Sequence, residues 1–83
     1  MNAVLLFRSL TYAQRGSRIL ATHGISSNVI KAPLGTSEKG CAHALSLRRD
    51  RLNAAVRVLR EQDIQFGKAF VREEEGFYRE IPV

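Results

Sequence analysis

The chain predicts a single α+β domain of six elements, in the order strand, helix, strand, strand, helix, strand. Three observations carry that expectation. Residues 3–7 are an unbroken apolar run. Residues 11–24 and 50–62 each place apolar side chains at helical spacing. Glycine, proline and aspartate fall where those elements need to end.

Ala3 to Phe7 is too short for a helix and has no polar alternation, so it reads as a strand buried on both faces, in the middle of a sheet. Thr11 to Gly24 reads as the first helix. Thr11 and Gln14 have capping-box spacing. Tyr12, Gly16, Ile19 and Leu20 form one apolar stripe. Gly16 costs roughly 1 kcal/mol of helix propensity, so its place on that stripe points to close packing against the sheet. Gly24 suits the left-handed residue that ends a helix, and His23 beside it is expected to interact with the helix C-terminus.

Ser26 to Ala32 is the second strand, stopped by Pro33, which has no N–H for a ladder. Residues 34–40 form a polar, glycine-containing loop that lacks the lysine–serine ending of a Walker loop. Cys41 to Leu47 is the third strand, with Ala42, Ala44 and Ser46 on one face and Cys41, His43, Leu45 and Leu47 on the other. Asp50 to Gln62 is the second helix, with Asp50 placed to cap it or to oppose its positive dipole end, and Leu52, Ala55, Val56 and Leu59 inward. Asp63 turns the chain out of it. Ile64 to Val71 is the fourth strand. Residues 72–76 are a charged turn, and residues 77–83 a tail expected to add a short edge strand. Two split βαβ units in this order build a ferredoxin-like fold, a four-stranded antiparallel sheet with two helices on one face. Strands one and three lie in its centre. The loop before Cys41 lies at one end of the sheet, and the turn at Arg49 at the other.

The 83 residues are 45% hydrophobic and 25% charged, a balance that argues for a packed domain rather than a disordered chain. The formal net charge of +5 fits solubility, or an anionic partner. The lone cysteine excludes an internal disulfide and favours a cytoplasmic location. Residues 3–7 are too short for a signal-peptide core or a membrane span. One cysteine and two histidines fall below the usual zinc ligand count, so neither a metal nor another cofactor is expected.

The chemistry therefore concentrates at Gly40-Cys41-Ala42-His43-Ala44-Leu45, where a thiol stands between a flexible loop and a strand. With the apolar first strand, the Gly24-Ile25 pair after the first helix, and the Leu-rich second helix followed by Ile64, this join resembles a small bacterial family of selenium/sulfur carrier protein-like chains. The resemblance covers Val4 to Arg72. Ala42 stands where members commonly carry glycine, while Gly40 precedes the thiol.

The resemblance implies a non-enzymatic carrier in which Cys41 transiently accepts persulfide sulfur or selenide, working between a donor and an acceptor protein. A thiolate is favoured by nearby positive charge and by backbone N–H groups. Lys39, Gly40 and Ala42 are accordingly the expected partner-binding neighbours, and His43 the expected thiolate support. In a regular strand His43 lies about 7 Å from Cys41, beyond direct hydrogen bonding.

The competing reading is a small-metabolite, nucleic-acid-binding or dimerisation module with a structural cysteine, a common fate for a buried thiol. Nucleic-acid binding is the weaker branch. Phe66, Phe70 and Tyr78 supply aromatics, but the third strand carries alanines where RNA readers carry a basic-glycine-aromatic motif.

Overall fold

The computed structural model describes residues 2–36 and 41–83. Five strands form one sheet: β1 (Asn2–Phe7), β2 (Asn28–Lys31), β3 (His43–Arg48), β4 (Ala69–Arg72) and β5 (Tyr78–Ile81). Their order is β2-β3-β1-β4-β5, and every neighbouring pair is antiparallel. The first four reproduce the ferredoxin-like arrangement, and β5 adds the extra edge strand against β4. β1 lies in the middle and is buried from Ala3 to Phe7, as its uninterrupted apolar run requires.

The helices are α1 (Leu10–Thr22) and α2 (Leu52–Glu61). Both pack on the sheet face that carries Ala3, Leu5, Phe7, Leu45, Leu47 and Val71. The opposite face carries Val4, Leu6, Ala44 and Phe70, flanked by half-buried Ile30, Ala32, Cys41 and Tyr78.

The N-cap of α1 lies two residues earlier than Thr11. Ser9 is its N-cap, and the Ser9 hydroxyl accepts the Tyr12 N–H at 3.1 Å. The buried stripe is Ala13, Gly16 and Leu20, and Tyr12, expected on that stripe, is exposed. Gly16 lies where a Cβ would come within 3.2 Å of the Phe7 ring and 3.5 Å of Leu45. The glycine lets α1 settle onto the middle of the sheet.

Both helices end the same way. Ile25 N–H donates to Leu20 O and Gly24 N–H to Ala21 O; Ile64 N–H donates to Leu59 O and Asp63 N–H to Arg60 O. These are two Schellman closures, with Gly24 (φ 77°) and Asp63 (φ 58°) in the left-handed position. Each is followed by a buried isoleucine, so the Gly-Ile and Asp-Ile pairs both stop a helix and anchor the exit to the core. Among the described residues nothing lies within 4 Å of a Cβ built on Gly24, so a Gly24→Ala change tests backbone conformation. It is expected to cost about 1 kcal/mol, read as a lowered midpoint in urea at unchanged slope.

β2, β3 and β4 all start later than expected. β2 is confined to Asn28–Lys31, β3 starts at His43, and β4 is only Ala69–Arg72. Asp50 does not cap α2. It sits in a 3-10 turn, Arg49–Arg51, and pairs with Arg48 at 2.8 Å. Residues 65–67 are not strand, although Gly67 N–H still donates to Leu6 O at 2.7 Å. The three aromatics do not share one face, although Phe70 and Tyr78 lie together. Phe66 packs against the helix-side core, whereas Phe70, 6% exposed, belongs to the opposite face.

Candidate functional site

The antiparallel registers bring four chain positions to one end of the sheet. Phe7 lies opposite His43, which sets the start of β3 beside the end of β1. The β1–β4 pairing runs on to Gly67 and Lys68 through their hydrogen bonds with Leu6. Ala69 lies opposite Ile81, so the end of β5 reaches the same rim. The first turn of α1 and the last turn of α2 close over this edge. Between them is an open cleft of about 740 Å³, lined by Cys41, Arg8 and Tyr12, by Arg60 and Asp63 from the end of α2, by residues 64–67 and by Val83.

Cys41 is half-buried at this rim. It forms an isolated bridge ahead of β3 rather than the strand's first residue. Strand alternation therefore does not reach it. It packs against the Val4, Leu6, Ala44 and Phe70 cluster instead of sharing the face of Leu45 and Leu47. Ala42 is exposed, and its carbonyl accepts the Ala32 N–H at 3.0 Å, which ties the thiol-bearing segment to the end of β2. Lys39 and Gly40 lie outside the described residues.

His43 is the first residue of β3. It is half-buried, and its Nδ1 is enclosed with no hydrogen-bond partner among the described residues. The described residues that line the cleft with Cys41 do not include His43. His23 is the C-cap of α1, with Nδ1 3.0 Å from Ile19 O, the helix-end contact expected of it.

The charged groups of the cleft were not apparent as a set in the sequence. Arg8 follows β1, and Arg60 ends the exposed side of α2, where its guanidinium lies over the Phe66 ring at 5.7 Å. Asp63 holds the left-handed position between them and Ile64. Among the described residues, none of these three charges forms an ion pair. The signal that could have found them is topological. In this fold the ends of β1 and α2 and the starts of β3 and β4 share one rim, so residues just outside those boundaries converge.

The family model described as "Putative Se/S carrier protein-like" matches residues 2–71. The chain belongs to that family. The match spans β1 through β4 and includes Cys41, while β5 and Val83 lie beyond it, so one wall of the cleft is supplied from outside the matched residues. No curated protein and no solved structure matches this Se/S carrier-like chain. Among the described residues, no three histidine, cysteine or acidic side chains gather as a metal site, and no helix is long and apolar enough to cross a membrane.

Proposed function

We propose that this chain carries one sulfur or selenium atom at a time on Cys41, between a donor and an acceptor protein. The observation that supports the reading best is the place of its one thiol. Cys41 is half-buried at the lip of a cleft whose charged side chains, among the described residues, are Arg8, Arg60 and Asp63, in a chain of the Se/S carrier-like family.

Loading is a thiol exchange. The Cys41 thiolate attacks the outer sulfur of a donor persulfide. A new S–S bond forms at Cys41, the donor's own S–S bond breaks, and the donor leaves as a thiolate, with no net oxidation. Discharge repeats the step with an acceptor thiolate attacking the outer sulfur held on Cys41. Arg8 and Arg60 supply positive charge to the cleft, and the N-terminal end of α1, which carries partial positive charge, contributes Tyr12. Half-burial matches a carrier's two needs, since a persulfide must be reachable by partners yet shielded from bulk reductant. In this reading Lys39, Gly40 and Ala42 are the first contacts of a docking partner, while His43, outside the cleft lining and off the face on which Cys41 packs, is not needed for the exchange.

The direct test is intact mass after incubation with a cysteine desulfurase and cysteine. The expected result is a gain of one sulfur atom that is released by reductant and blocked by prior alkylation of Cys41. A thiol that neither alkylates near neutral pH nor gains sulfur would end the carrier reading.

A further inference from the structure

The cleft beside Cys41 is far larger than a carried atom needs. At about 740 Å³ it lies in the range of pockets that enclose a small organic molecule. A hydrosulfide or selenide ion would occupy a minor part of it. A protein donor would dock through a broad surface of about 800 Å² and would not need a concave pocket of this size.

The lining is chemically specific. Arg8 and Arg60 are guanidinium donors suited to carboxylates, and Asp63 suits an ammonium group. None of the three forms an ion pair among the described residues. Arg60 is held by stacking over Phe66, which limits the rotamer freedom it would lose on binding. Tyr12, Ile64, Phe66 and Val83 supply apolar walls.

We infer that this cleft binds a low-molecular-mass peptide thiol in its persulfide form, its carboxylates on Arg8 and Arg60 and its ammonium on Asp63, with its outer sulfur presented to Cys41. The inference rests on the carrier reading and adds the class of donor. The transfer is balanced as before. The Cys41 thiolate takes the outer sulfur as a new persulfide, and the small thiol departs as its thiolate.

The test compares three donors by intact mass: glutathione persulfide, inorganic polysulfide, and a cysteine desulfurase with cysteine. For the parent chain, loading from glutathione persulfide is expected to saturate with concentration. In the double variant Arg8→Gln, Arg60→Gln, loading from glutathione persulfide is expected to fall about tenfold further than loading from polysulfide, since two charge-assisted contacts are lost only for the carboxylated donor. S-methylglutathione, which cannot transfer sulfur, is expected to raise the melting temperature of Cys41→Ser, and to do so no longer once both arginines are replaced.

Equal losses with both donors, together with no stabilisation by S-methylglutathione, would overturn the small-thiol pocket. Loading from polysulfide or the desulfurase would still stand for the carrier. If no donor loads Cys41, the carrier reading fails, and S-methylglutathione binding to Cys41→Ser alone decides whether the cleft takes a peptide thiol.

Discussion

A Cys41→Ser variant is expected to fold as the parent does and to gain no sulfur from any donor. The loss is total rather than graded, because Cys41 is the chain's only thiol and an alcohol at ordinary pH has no anionic form able to displace a thiolate. Stability is expected to stay within about 1 kcal/mol of the parent, as for other substitutions outside a packed core. The side chain is half-buried and sits at the edge of the Val4, Leu6, Ala44 and Phe70 cluster rather than inside it. Overlaid denaturation curves with sulfur gain only in the parent would assign the chemistry to this atom. Residual sulfur gain by the variant would place it elsewhere.

The largest stability loss is expected from Phe7→Ala. Phe7 is fully buried at the end of the central strand, and its ring fills the space left by Gly16 of α1. Phenylalanine-to-alanine changes in cores cost about 3–5 kcal/mol, the spread depending on how far the surroundings collapse into the void. Here collapse is hindered. The facing helix residue has no side chain, and the backbone of β1 is held by ladders on both sides. A value in the upper half of that range follows. A chain of this size has roughly 4–12 kcal/mol to lose, so the variant is expected to be partly unfolded at 37 °C. Phe7→Leu, which keeps most of the volume, is expected to lose no more than half as much. Equal losses for the two variants in urea titrations would mean that shape, not volume, governs this contact.

The elements were legible from local physics. The unbroken run at 3–7 required a two-faced strand, Gly24 and Asp63 required left-handed helix exits, and the inner stripe of α2 followed from spacing alone. The errors arose where two local signals compete. Ser9 and Thr11 both offer a hydroxyl that can cap, and Ser9 does so. Asp50 satisfies Arg48 instead of a helix end, because a 3-10 turn intervenes. Residues 64–68 have strand-like composition, yet the sequence spends them on a helix closure and a cleft wall before the ladder resumes at Ala69.

Local pattern was enough for a ferredoxin-like sheet, two helices on one face, and a solitary thiol at the loop end of that sheet. Each is written in residue type and period, quantities that neighbours along the chain control. The surroundings of the thiol came from the packed chain instead. Arg8, Arg60 and Asp63 are separated from Cys41 by as many as 33 positions in the chain, and antiparallel pairing through β1 brings them to one rim. Periodicity also ends where the ladder ends, so the side of the sheet on which Cys41 packs was set by the bridge before β3 rather than by alternation within it.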